Sequence, residues 1–291
     1  MTTATEAKSG KGHRDENFPV ASHLISPRHR APIFAFYRFV RAADDVSDHP
    51  TLGPNEKLRL LDGLEAALTG TGPDDREATP LRQQLAERGL PPRHAIDLLN
   101  AFRLDARKNR YADWSELIDY CSLSAMPVGR FVLDVHGEDR STWPANDALC
   151  AALQVINHLQ DCGKDFRDLD RVYIPADALA RNGATVSDLG GPKSSPALLA
   201  TIRDLNERTA GLLGQSSAFP GQIRDLRLAL EVGVIQRLAE ALVAKLRAAD
   251  PLAERVHATK VEAASSAFAG LVRTLLSRRW RTGMPVAERV R

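Results

Sequence analysis

Apolar residues recur along this chain at spacings of three and four, the period of a helix that buries one face. Ile33, Phe34, Phe36, Tyr37, Val40 and Ala43 obey the rule over residues 32–46. Pro32 suits a first helical turn there, because the N–H it lacks has no partner in that turn. A second helix is predicted over 54–68, with Leu58, Leu61, Leu64 and Leu68 on one stripe. Residues 69–80 read as a loop. Further helices are predicted over 80–88, 92–106, 114–136 and 147–165, with a break in the pattern over 139–146. Residues 181–196, rich in Gly, Pro and Ser, form the longest internal irregular stretch. Beyond it, Val232, Ile235, Leu238, Ala239, Leu242, Val243 and Leu246 give the cleanest helical period in the chain. Pro251 interrupts that pattern, and residues 264–276 resume it. Without strand alternation, hairpin signals or internal repeats, the chain reads as one all-α domain.

Composition narrows the class. The 291 residues carry 39 Lys+Arg against 37 Asp+Glu, a formal charge of +2. That balance argues against a dedicated nucleic-acid binder, which shows a strongly basic face. A hydrophobic share of 43% excludes global disorder. Cys121, Cys150 and Cys162 form no CxxC pair, which points to a reducing cytoplasm. No apolar run has the length of a membrane span. The small polar residues at the start, 1–14, are expected to be disordered, with the domain over 15–282 and a tail over 283–291.

Two acidic clusters carry the candidate chemistry. Asp44 and Asp48 stand at i and i+4, so their carboxylates share a helix face. Like charges at this spacing, near a helix C-terminus, oppose both each other and the helix dipole. A cation between them removes that cost, and Mg²⁺ favours one or two carboxylates plus substrate phosphate oxygens. A solvated acidic helix end is the plain alternative. Asn157, Asp161 and Asp165 form the second cluster, each step turning about 40° round the helix axis. Leu153, Val155, Ile156 and Leu159 show that the same helix packs into a core. Acids along such a helix require pairing or metal; Lys164 and Arg167 are the nearby surface partners for the plain reading. Arg38, Arg41 and Arg171 could complete a diphosphate site, since guanidinium binds phosphate bidentately. Asp105, Arg110 and Tyr111 could line the same mouth. His158 lies beside the acids at another helical angle and reads as a packed or surface residue. Neither GxGxxG nor a P-loop occurs.

The strings FAFYRFVRAADDVSD and NHLQDCGKDFRDLDRVYIP, with YCSLSAMPVGRFVLDVHG between them, resemble the squalene/phytoene synthase family over nearly the whole domain. The resemblance implies an all-α isoprenoid synthase fold around a central apolar cavity, Mg²⁺ as cofactor, and prenyl diphosphate substrates. It implies metal binding by Asp44, Asp48, Asn157, Asp161 and Asp165, and substrate contact by Tyr37, Arg41 and Arg171. Ala125 and Gly129 would leave room for a prenyl chain. Within the family, ENFPVAS at residues 16–22 and NHLQDCGKD resemble the hydroxysqualene synthase branch of bacterial hopanoid biosynthesis. In these strings Gln160 and Lys164 replace an Arg and an acid common among relatives.

The branch implies conversion of presqualene diphosphate to hydroxysqualene, between a presqualene diphosphate synthase and a flavin-dependent reductase. The expected course is ionisation of the diphosphate, rearrangement of the cation, and capture by one water. Apolar walls from Phe34, Val40, Leu123, Val128, Val132, Leu153 and Ile156 would exclude other water. Gln160 and Tyr173 are candidates for positioning the water that reacts. Condensation of two farnesyl or geranylgeranyl diphosphates is the alternative activity, and a non-catalytic helical assembly factor the alternative class. Arg278, Arg279, Trp280 and Arg281 could touch an anionic membrane surface, or form a solvated basic tail.

Overall fold

The first helix, α1 (Pro27–Ser47), starts five residues before Pro32, so this proline sits inside the helix and not in its first turn. Pro32 cannot donate to the carbonyl of Arg28. Arg88 supplies the missing donor, its Nη2 lying 2.6 Å from that oxygen. The computed structural model describes the backbone of residues 25–283 and side chains through residue 278. The expected disordered start, most of the expected tail and the segment 16–22 lie outside the described residues.

The chain continues through α2 (Pro54–Thr69), α3 (Ala78–Arg88), α4 (Arg93–Asp105), α5 (Trp114–Ser124) and α6 (Met126–His136). It completes its course with α7 (Trp143–Leu169), α8 (Ala176–Asn182), α9 (Pro196–Ser216), α10 (Phe219–Gln222), α11 (Leu226–Ala248) and α12 (Lys260–Gly283). No strand occurs among the described residues; Arg110 and Val172 form an isolated parallel bridge. The single helix expected over 114–136 is broken at Ala125, whose φ of −124° lies outside the helical region. Pro127, two residues on, sits in the first turn of the helix that restarts at Met126. Residues 181–196 are less irregular than expected, holding the end of α8 and a short 3₁₀ turn over Val186–Gly190.

The buried apolar residues fall into two clusters. One joins α1 to α4 with Phe131 and Val135 of α6; Phe36 and Phe131 stack there at 3.9 Å. The other gathers α5 and α7 to α11, together with Met126 and Leu133 of α6. α6 is therefore a wall shared by two cores. The acidic end of α1 belongs to the first cluster and α7 to the second, which sets the candidate site at the seam.

Candidate active site

The stripe of α1 that faces the seam can be read from its spacing. Phe34, Tyr37, Arg41, Asp44 and Asp48 follow one another at three and four residues, apolar first and acidic last. Arg41 bridges Asp44 and Asp45, with Nη1 3.1 Å from Asp44 Oδ2 and Nη2 3.2 Å from Asp45 Oδ1. On α7, Leu153, Asn157, Asp161 and Asp165 repeat the same order. Asp170 ends α7 in the left-handed region at φ 50°, turning the chain back. The reversal aims Arg171 at the end of α1. Its Nη1 lies 2.6 Å from Asp48 Oδ1, and its Nη2 lies 3.2 Å from both the carbonyl and the hydroxyl oxygen of Ser47. Lys57 of α2 donates to the same carbonyl at 2.7 Å.

The acids of the two helix ends also act on one another's charges. Burial pushes the Asp165 carboxyl up to about 7, with Asp161 and Asp48 adding to the shift; Lys164 and Arg171 oppose it. Burial works against the charge of Arg171, but Asp105, Tyr173 and Asp48 outweigh it and hold the guanidinium charged. Lys57 is held below the ordinary lysine range by burial and then by Arg171.

Beneath these charges lies a polar layer in which Asp105, Tyr111 and Tyr173, expected near the site, meet His158 and Tyr120, the last of which the sequence did not single out. Asp105, at the end of α4, accepts from Tyr120 at 2.8 Å and from Tyr173 at 3.1 Å. Burial raises its carboxyl to about 6, against the pull of Arg171 and the two phenols. His158 is packed, its ring stacked on Tyr173 at 3.6 Å. Burial and Arg171 lower it to about 3, so it is neutral and accepts from the Gln154 amide at 3.2 Å. Tyr111 closes the aromatic group, 5.5 Å from Tyr173 and 5.3 Å from Tyr120.

Other expected residues are placed differently. Arg38 lies away from the acids, pairing with Glu77 at 2.8 Å. At Gly129 the space expected for a prenyl chain is filled by α7, because an added Cβ would lie 2.0 Å from Asn146 Oδ1 and 2.7 Å from Cys150 Sγ. Ala125 marks the break between α5 and α6. Gln160 donates to the carbonyl of Val256, which ties α7 to the segment after α11. Arg110 pairs with Asp170 at 2.5 Å, supporting the turn that delivers Arg171. Of the expected apolar walls, Phe34 and Val128 are exposed, Val40, Leu123, Val132 and Leu153 are half-buried, and Ile156 is fully buried in the core.

Among the described residues, no group of three or more His, Cys, Asp or Glu is gathered closely enough to cage a metal. The donors are split between two helices, one or two carboxylates on each side. That arrangement suits Mg²⁺, which binds through a few carboxylates and completes its shell with water and substrate phosphate. A divalent cation beside Asp165 would offset both the burial of its carboxylate and the repulsion from Asp161 and Asp48.

An all-helical fold with opposed acidic helix ends above half-exposed apolar side chains defines a class, the helical synthases that act on prenyl diphosphates. The chain belongs to the squalene/phytoene synthase family, whose pattern it matches over residues 12–262. It is 56% identical over 288 residues to a protein named hydroxysqualene synthase from Rhodopseudomonas palustris, covering 99% of this chain and 98% of that one. It is 30% identical over 285 residues to a 15-cis-phytoene synthase from a Paracoccus species, covering 93% and 90%. A crystal structure titled squalene synthase, from Alicyclobacillus acidocaldarius, superposes with a TM-score of 0.71 at 31% identity, covering 81% of this chain and 89% of that one.

Proposed function

We propose that this protein is a Mg²⁺-dependent hydroxysqualene synthase, converting presqualene diphosphate and water to hydroxysqualene and diphosphate. The observation that carries the reading is the gap between 56% identity to a hydroxysqualene synthase and 30% to a phytoene synthase, each over nearly the full chain. The facing acids give it a mechanism.

Asp44 and Asp48 on one side, and Asn157, Asp161 and Asp165 on the other, are the residues to hold Mg²⁺. Bound Mg²⁺ would supply positive charge to the diphosphate as it departs. Arg41, Arg171 and Lys57 add cations from the protein at the same end of the seam. Phe34, Val40, Leu123, Val128, Val132 and Leu153 give the carbocation apolar neighbours without a nucleophile and keep bulk water away. One water must still enter. Tyr173 and Tyr120, both held by Asp105, are the hydroxyls set to orient it, and Asp105 accepts a proton more readily than an ordinary aspartate. Gln160, whose amide is engaged with Val256, is a weaker candidate for that role.

The test supplies purified protein and Mg²⁺ with presqualene diphosphate or farnesyl diphosphate, separately, and identifies the products. Hydroxysqualene from presqualene diphosphate alone is the expected result. A condensed product from farnesyl diphosphate would overturn this reading in favour of head-to-head condensation. Asp44→Ala and Asp161→Ala are each expected to abolish turnover while the helical circular dichroism stays unchanged. The reaction places the protein between an enzyme that makes presqualene diphosphate and a flavin-dependent reductase that consumes the alcohol.

A further inference from the structure

Arg41 and Arg171 are each held at two points, one of which is a carboxylate assigned above to Mg²⁺. Arg41 lies 3.1 Å from Asp44 Oδ2 and 3.2 Å from Asp45 Oδ1. Asp44 belongs to the metal set and Asp45 does not. Arg171 places Nη1 2.6 Å from Asp48 Oδ1, another member of that set. Its Nη2 lies 3.2 Å from the carbonyl and hydroxyl oxygens of Ser47, which are outside it. Guanidinium groups of the protein therefore already engage both metal carboxylates of α1. The α7 side differs. Among the described residues, no ion pair of this kind engages Asp161 or Asp165.

A divalent cation and a guanidinium on one carboxylate repel each other at close range. Lys57 adds a third positive group at the end of α1, donating to the Ser47 carbonyl at 2.7 Å and already repelled by Arg171. Three cations thus stand against Asp44, Asp45 and Asp48 before any metal arrives, and Mg²⁺ entering alone has to displace them. Diphosphate changes the balance. Its oxygens offer a guanidinium the same bidentate acceptor that a carboxylate does, so an arginine that leaves its aspartate loses little.

We propose that Arg41 and Arg171 exchange partners on binding. Each gives up its metal carboxylate, Asp44 or Asp48, and turns to the diphosphate while pivoting on the partner that it keeps, Asp45 or Ser47. Asp45 is thereby a positioning residue, which keeps Arg41 at the site once Asp44 is taken. The proposal rests on the reading of the site as one for Mg²⁺ and diphosphate, and is independent of which prenyl diphosphate reacts.

The experiment titrates the full-length protein, Arg41→Gln and Arg171→Gln by calorimetry, with no prenyl substrate present. Two affinities are read: Mn²⁺ alone, and inorganic diphosphate with Mn²⁺ in excess. The expected changes have opposite signs. Each substitution should tighten Mn²⁺ alone roughly tenfold, by freeing a carboxylate, and weaken diphosphate roughly tenfold, by removing its donor. A merely structural role for the arginines would weaken both together. Arg59→Gln, which removes the same charge from an exposed pair with Glu56 on α2, should change neither. The acids that Arg41 engages lie on its own helix, so Arg41→Gln should keep the helical circular dichroism and decides the matter if the buried Arg171 cannot be replaced. Mn²⁺ alone bound no more tightly by Arg41→Gln than by the unmodified protein would overturn the exchange. Equal tightening in Arg59→Gln would overturn it too, reducing the effect to net charge. If the unmodified protein binds no diphosphate even with Mn²⁺, the reading of the site fails as well; if it does and the variants do not tighten, only the exchange fails.

Discussion

Asp105 shows how one buried side chain can organise a site that it need not touch. Its two oxygens are occupied by different phenols, and its charge helps to hold Arg171 protonated beside Asp48. Asp105→Ala would leave two hydroxyls without their acceptor and a buried guanidinium short of counter-charge. The expected loss is about 3–5 kcal/mol in urea denaturation, against roughly 1 kcal/mol for Tyr120→Phe or Tyr173→Phe. A loss for Asp105→Ala no larger than for either phenylalanine variant would show that the three do not act as a network. Asp165 and Asp105 also set a pH dependence. Folding raises both carboxyls from an ordinary 3.8, to about 7 and about 6. Each therefore holds its proton more tightly in the folded chain than in the unfolded one. Stability contributed this way is present at low pH and is lost as pH rises from about 4 to about 7. His158 and His29, lowered to about 3 and about 4, act in the opposite sense over much of that range, so the check is a difference. The thermal midpoint of the metal-free protein minus that of Asp165→Asn should fall as pH rises from about 4 to about 7. The acids were legible in the sequence because their spacing is regular. Asp105, Tyr120 and His158 were not legible as a group: they come from three helices, and nothing in their local sequence marks them as neighbours. The same holds for Lys57, which reaches the site from α2.

Most helices were legible from an apolar stripe, although α8 and α9 were given no bounds in advance, and helix ends were misplaced where proline was read by position alone. Pro32 and Pro127 show the difference. The first is tolerated inside α1 because Arg88, from a distant helix, caps the carbonyl it frees; the second breaks a predicted helix in two. Glycine raises the same problem. Gly129 and Gly63 both sit within helices, yet their surroundings predict opposite responses to alanine. A Cβ at Gly129 would overlap Asn146 and Cys150, so Gly129→Ala should force α6 and α7 apart. The cost expected is about 1–3 kcal/mol. Nothing lies within 4 Å of a Cβ at Gly63. Gly63→Ala should therefore stabilise the protein by about 0.4–1 kcal/mol, through the lower entropy of its unfolded chain. Chemical denaturation of the two variants side by side checks both signs.

At the scale of the whole molecule, the seam between two cores explains why substrate and metal should bind together or hardly at all. The Arg171–Asp48 pair spans 123 positions of sequence and draws the end of α7 to the end of α1. The remaining acids on the two sides are left facing each other. No described group of three acids can cage a cation unaided, so Mg²⁺ alone lacks ligands to complete its shell. Diphosphate alone meets Arg41, Arg171 and Lys57 but also the carboxylates that repel it. Each ligand supplies what the other lacks, which is a coupling free energy between them and is necessarily reciprocal. Inorganic diphosphate serves as the probe, because it carries the charge of the leaving group without the prenyl chain. Mg²⁺ or diphosphate alone should shift the thermal midpoint little. Together, at concentrations about a hundredfold above the apparent Kd, they should raise it by roughly 5–10 °C. In Asp161→Ala the joint shift should collapse to the sum of the separate ones, because the side of the seam carried by α7 loses a ligand. If the separate shifts add up to the joint shift in the unmodified protein, the two helix ends bind independently, and the opposed acids are not a shared metal and diphosphate site.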